Sequence, residues 1–83
     1  MDHAYTLIWR TTRRRTDAGD RFVPRFEVWN GRGHRVASGH GAAEPSQEIA
    51  LASARTLALA AGERWARSRR HPFVFGRGSR TDW

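Results

Sequence analysis

The chain contains no lysine and no cysteine, and it has no long apolar run. Without cysteine there can be no disulfide framework and no thiolate metal site. A bilayer span needs roughly 20 consecutive apolar residues, which are absent, and the first residues lack the basic-then-apolar pattern of an export signal. For 83 residues we therefore expect a single small domain in the cytoplasm, with no membrane contact.

All fifteen basic residues are arginine, and with eight carboxylates the formal charge is +7. Guanidinium groups suit phosphates and stack on aromatic rings, as nucleic-acid surfaces require. A GC-rich genome would also replace lysine codons by arginine codons with no functional consequence. The charge is spread evenly, with eight arginines against five carboxylates in residues 1–45 and seven against three in residues 46–83. Both interpretations stay open.

The residue patterns predict three strands followed by one helix. Residues 5–14 are rich in β-branched and aromatic side chains, residues 21–30 alternate between apolar and polar, and residues 34–38 form a short third strand. Residues 44–48 are typical of a helix start, since proline is favoured at the first helical position. The alanine- and leucine-rich helix then continues to about residue 70. The fold class is α+β, a three-stranded antiparallel sheet packed on one long helix (β-β-β-α).

Turn and tail residues set the expected boundaries. Residues 16–20 form a turn cluster, and Asn30-Gly31 is typical of a two-residue hairpin turn, which Arg32-Gly33 could extend to a longer loop. Pro24 cannot donate to a sheet ladder, which predicts an edge position or a bulge. The domain covers residues 1–71, and residues 72–83 form a flexible tail unless Phe73 and Phe75 dock on the domain.

One helix covers only one face of the sheet, so strand alternation predicts an open face. The expected core residues are Leu7, Trp9, Phe22, Phe26, Val28 and Val36. Arginines with one tryptophan on the open face could hold phosphates while the indole stacks. Alternatively, the face is merely solvated, with arginine stems shielding the indole. The candidate nucleic-acid-binding residues, including the run in the first hairpin, are Arg10, Arg13, Arg14, Arg15, Arg21, Arg25, Trp29 and Arg35.

The helix carries two apolar stripes, and one small sheet cannot cover both. The first contains Ile49, Ala52, Thr56, Leu59 and Ala60. The second, nearly opposite, contains Leu51, Ala54, Ala58, Ala61 and Trp65. We expect the second stripe to meet another copy of the chain, a protein partner or the tail, although exposed alanines need no partner.

The sequence contains few residues arranged for catalysis. There is no lysine or cysteine nucleophile, and the four histidines are scattered. His34, His40 and Glu44 match no common metal-ligand spacing, and no acid is placed to orient His40 beside Ser38. We therefore predict a binding module rather than an enzyme, with no cofactor, no metal and no small-molecule substrate. Its partner would be nucleic acid or a protein.

Two segments carry a family resemblance: RFVPRFEVW at residues 21–29, followed by glycines at 31 and 33, and ERWA at residues 63–66. They resemble small stand-alone proteins of GC-rich proteobacteria of unknown function, over residues 5–70. The resemblance implies the β-β-β-α order, core positions for Phe26 and Val28 and a packing role for Trp65, but no activity. A weaker, architectural likeness is to AP2-type and integrase N-terminal DNA-binding domains, which place three strands on one helix and read DNA with the open sheet face.

Overall fold

The computed structural model describes residues 4–69 and 74–75. Its elements are β1 (Ala4–Thr16), β2 (Gly19–Trp29), β3 (Arg35–His40), α1 (Gln47–Ser68) and β4 (Val74–Phe75). The strand order is β3-β2-β1-β4. The first three strands pair antiparallel, and β4 runs parallel to Ala4 and Tyr5 of β1. The predicted three-stranded antiparallel sheet followed by one helix is confirmed. The alternative that Phe75 docks on the domain is also confirmed, since Phe75 pairs with Tyr5, although no strand was predicted there. The other residues of the predicted tail lie outside the described part.

Pro24 lies in the middle of an unbroken hairpin. The β1–β2 register runs without a shift from Thr6 opposite Trp29 to Thr16 opposite Gly19, so the predicted bulge at Pro24 is wrong. In the sheet order β2 is an inner strand. The edge prediction nevertheless holds locally, because the β2–β3 ladder stops at Arg25 opposite His40 and Pro24 lies just past its end. Pro24 is tolerated because β3 ends at His40. Beyond that point the Pro24 carbonyl accepts a hydrogen bond from the Gly41 N–H at 3.0 Å.

The β2–β3 connection is the longer of the two predicted loops. The Asn30 N–H donates to the His34 carbonyl, and the glycine with positive φ is Gly33 (81°) rather than Gly31. The Asn30 side chain supports this loop, since Oδ1 accepts from the backbone N–H groups of Arg32 at 2.9 Å and His34 at 3.0 Å. A two-residue turn at Asn30-Gly31 is therefore wrong.

A bulge follows in β3, where Ala37 pairs with Val28 and Arg35 pairs with Trp29. Val36 is the extra residue, and both Val36 and Ala37 pack against the core. The bulge thus gives the short third strand two consecutive apolar contacts while Arg35 stays on the opposite face.

Helix α1 meets the sheet through small residues. Its buried positions recur every four residues, and they are Ala50, Ala54, Ala58, Gly62 and Ala66. Small side chains allow the helix axis to approach the strands closely. Ser46 caps the helix, with Oγ accepting from the Ile49 N–H at 3.4 Å, so Pro45 precedes the cap instead of occupying the first helical position.

The second helix stripe faces the sheet rather than a partner. Ala54 and Ala58 are fully buried, Ala61 and Trp65 pack against the core, and Leu51 is half-buried. The prediction that this stripe is left uncovered is therefore wrong. Most of the first stripe faces outward instead: Ile49 is 52% exposed, and Ala52, Thr56 and Ala60 are exposed. The reason is size, since alanine permits a closer helix–sheet contact than isoleucine or threonine.

The core lies between α1 and the centre of the sheet. Tyr5, Leu7 and Val28 form a buried cluster with Ala58 and Ala66 of the helix. Partly buried side chains pack around this cluster: Trp9, Phe26, Val36, Ala37, Leu59, Ala61 and Trp65. The predicted core residues of β1, β2 and β3 are thereby confirmed except Phe22, which is half-buried and absent from the cluster.

Candidate nucleic-acid interface

The sheet face turned away from α1, here called the open sheet face, collects the alternate residues of three strands. Even-numbered residues of β1 pair with odd-numbered residues of β2, and the unbroken register keeps both sets on this face. Arg35, Ser38 and His40 of β3 pair with Trp29, Glu27 and Arg25 and extend it. The predicted open-face residues therefore share one surface: Arg10, Thr12, Arg14, Arg21, Arg25, Glu27, Trp29 and Arg35.

Two pairs of arginines face each other directly across the β1–β2 ladder. Arg10 lies opposite Arg25, and Arg14 lies opposite Arg21. Like charges in directly opposed positions destabilise a sheet. The Arg25 Nε–H donates to the Thr12 Oγ1 at 3.0 Å, which draws this guanidinium toward the space between the two pairs. Neutral residues at these four positions would fit the strand alternation equally well, yet all four are arginine.

Glu27 is the one carboxylate among the described residues of the open sheet face, and both of its oxygens are engaged. The Trp29 Nε1–H donates to Oε1 at 3.0 Å, and the Arg35 Nη1–H donates to Oε2 at 3.3 Å. The hydrogen bond from Trp29 lowers the pKa of Glu27 below its ordinary value of 4.5. Partial burial opposes this shift, while Arg35 and the charge of Arg10 reinforce it. Glu27 is therefore ionised at neutral pH and holds the Trp29 indole in place.

The predicted run Arg13-Arg14-Arg15 is divided between the two faces. Only Arg14 points to the open sheet face, because successive strand residues alternate. Arg13 and Arg15 lie on the other side of the hairpin tip, within 3.9 Å and 3.6 Å of the Asp20 carboxylate. Their side chains are 70% and 88% exposed, so these ion pairs add little stability. The three arginines do not form one patch.

A hollow of about 240 Å³ lies in the open sheet face at the β2–β3 junction. This arginine hollow is lined by Arg10, Arg25, Glu27, Arg35, Ser38 and His40, with the backbone region of Phe26 and Gly39 beside them. Ser38 and His40 were not predicted as site residues. Alternation from Arg35 would place Ser38 on the covered face, but the bulge at Val36 moves it to the open sheet face. Pairing with Arg25 carries the strand past its predicted end at Ser38 and brings His40 to the same face.

Other kinds of site have little support within residues 4–69 and 74–75. No three histidine or carboxylate side chains of this part are grouped to hold a metal ion, and it contains no helix long and apolar enough to cross a membrane.

No protein-family model, curated protein or solved structure shows significant similarity to the chain. The fold and surface thus define a small α+β protein with one sheet face covered by a helix and the other rich in arginine. The family resemblance stays a prediction.

Proposed function

We propose that this protein is a non-enzymatic binding module that binds nucleic acid through the open sheet face. The observation that carries the proposal is the pairing of Arg10 with Arg25 and of Arg14 with Arg21 across one ladder. Counting Arg35, five arginines share the face with a single carboxylate, so four positive charges are uncompensated. Phosphates placed between opposed guanidinium groups would supply the missing countercharge through charge-assisted hydrogen bonds.

The arrangement of these charges favours a polymer over a single small anion. The two arginine pairs are separated by four residues along β1, which corresponds to about 14 Å at roughly 3.4 Å per residue. Both pairs lie along the β1–β2 hairpin, whose strands have 13 and 11 residues. A linear strip of guanidinium groups follows a phosphate backbone, and nucleic-acid-binding proteins take most of their affinity from such contacts.

The competing interpretation is that the face is merely solvated. Val23 supports it in part, because this residue points to the open sheet face between Arg21 and Arg25 and is only 4% exposed. Arginine stems that cover an apolar side chain have a packing role without any ligand. That role explains the length of the stems but not the direct opposition of like charges.

A salt titration tests the proposal. Fluorescence anisotropy with a short labelled duplex and its single strand, between about 50 and 200 mM NaCl, should show affinity falling steeply with salt. Contact with four phosphates predicts a log–log slope of about −3.6 for the duplex and about −2.8 for the single strand. The Arg14→Gln/Arg21→Gln double variant should lower the magnitude of the slope by about 1.5 to 2.

The matched control is Arg64→Gln/Arg67→Gln, which removes the same charge from two exposed positions of α1. It should leave the slope nearly unchanged. Absence of binding to both oligonucleotides at the lowest salt, or an equal loss of affinity in the control, would refute the proposal. Circular dichroism establishes that each variant is folded.

The sequence also predicted a homodimer interface and a cytoplasmic location. Homodimerisation through the stripe of Leu51 and Trp65 is not proposed here, because Ala54 and Ala58 in the middle of that stripe are buried under the sheet. The cytoplasmic location expected from the sequence remains a prediction that accompanies the nucleic-acid proposal, and cell fractionation would test it.

A further inference from the structure

The arginine hollow has the charge and the donors for a phosphate group that ends a chain. We propose that it binds the terminal phosphomonoester of a nucleic-acid strand, an inference that rests on the proposed function. Three guanidinium groups and the Glu27 carboxylate leave the hollow with two uncompensated positive charges. A phosphomonoester carries about −1.5 to −2 at pH 7. An internal phosphodiester carries a single charge and would leave the hollow only half neutralised.

The hydrogen-bond donors of the hollow suit an oxygen-rich group. Arg25 donates to Thr12 through Nε and also lines the hollow, and Arg35 donates to Glu27 through Nη1. Each guanidinium has five N–H donors, so both have further donors to offer. The Ser38 hydroxyl and the His40 ring add to them. A volume of about 240 Å³ holds a hydrated phosphate but is below the roughly 300 Å³ at which pockets for drug-sized ligands begin.

The surroundings of the hollow point to a nucleic-acid end rather than a free phosphate. On one side, the Arg14–Arg21 pair continues the strip of positive charge toward the hairpin tip, where the following phosphodiesters would lie. On the other side is Trp29, one row beyond Glu27 in β2. Its indole is held by Glu27, and an indole fixed beside a phosphate site offers a stacking surface for the terminal base.

The test compares two single strands that share a common sequence, one with a 5′-phosphate and one with a 5′-hydroxyl. The hydroxyl strand is one nucleotide longer, so both carry a similar total charge. We expect the phosphorylated strand to bind about tenfold more tightly, the gain typical of charge-assisted hydrogen bonds to a matched group. Arg35→Gln should abolish this preference while changing the affinity for the hydroxyl strand much less. A 3′-phosphorylated strand reports which end is recognised.

Two controls separate this inference from the proposed function. Arg14→Gln/Arg21→Gln should weaken both strands in parallel and keep the preference, and Arg64→Gln should change neither. Salt-dependent binding with equal affinity for the two strands would overturn the phosphomonoester site and leave the nucleic-acid proposal intact. Loss of binding to both strands, with a phosphoserine peptide shifting the Ser38 and His40 amide resonances, would overturn the nucleic-acid end and point to a phosphopeptide.

Discussion

The two faces of one sheet are built from alternate residues of the same strands and obey different rules. On the covered face Leu7 and Val28 are fully buried against Ala58 of the helix. On the open sheet face Arg10 and Arg25 stand opposite each other, while Glu27 is hydrogen-bonded to Trp29 and Arg35. Packing selects side chains on the first face by volume. On the second face the side chains are arranged against electrostatic preference, which is typical of a surface selected for a ligand.

The largest difference in stability between the two sheet faces should appear when neighbouring residues of β1 are truncated to alanine. Leu7→Ala removes a fully buried side chain and should cost about 2–5 kcal/mol of unfolding free energy. Ile8→Ala, the next residue along the strand, points to the open sheet face and is half-buried, so its cost should be clearly smaller. Urea denaturation measures both values. Equal losses would show that the open sheet face is packed like a core.

The helix offers the same comparison with enlarged side chains. Ala58→Leu places extra volume between α1 and the sheet, where Ala58 is fully buried, and should cost roughly 1–3 kcal/mol. Ala60→Leu makes the same change at an exposed position of the same helix and should alter stability by less than about 0.5 kcal/mol. Thermal unfolding distinguishes them. A neutral Ala58→Leu would contradict the close helix–sheet contact.

Function and stability should respond in opposite directions at the opposed arginines. Arg21→Glu replaces a like-charge pair with Arg14 by an opposite-charge pair, which should stabilise the domain by about 0.2–1 kcal/mol. The same change reverses one charge of the strip and should weaken binding to nucleic acid. Parallel denaturation and anisotropy measurements test the trade-off. Loss of both stability and binding would mean that Arg21 has a structural role.

The smallest effect concerns pH. The pKa of Glu27 is lower in the folded protein than its ordinary value of 4.5, chiefly because Trp29 donates to it. Its contribution to stability is therefore fully present above about pH 4.5 and is lost as the pH falls through the lower folded value. Comparing wild type with Glu27→Gln by urea denaturation at pH 7 and pH 3, we expect the difference in stability to shrink at acid pH. A constant difference would contradict this linkage.

The sequence predicted which strand residues share a face better than it predicted which side of the helix meets the sheet. The open-face residues followed from alternation alone, because neighbouring side chains of a strand point to opposite faces whatever they are. The helix face did not follow, because α1 has alanine and leucine on every side, and a weakly amphipathic helix has no unique apolar stripe. Ile49 looks like a core residue by hydrophobicity, yet it is 52% exposed while Ala50 beside it is buried.

The features that the sequence did not predict, in the candidate site and elsewhere, depend on pairing between strands. Ser38 and His40 join the arginine hollow because the bulge at Val36 reverses the alternation after Arg35 and because β3 continues two residues beyond its predicted end. β4 adds only Val74 and Phe75, beside Ala4 and Tyr5 at the other end of the chain. A two-residue strand is too short to show an alternating pattern in the sequence. Its formation depends on the β1 residues with which it pairs.

The β-β-β-α order and the residues that share a face in β1 and β2 follow from the sequence, because they depend on backbone geometry and local periodicity. The side of α1 that meets the sheet, the bulge in β3 and the end of β3 could be known only from the folded structure. Those outcomes depend on side-chain volume and on strand register across the sheet. The same register sets Arg10 opposite Arg25 and gathers five arginines on the open sheet face.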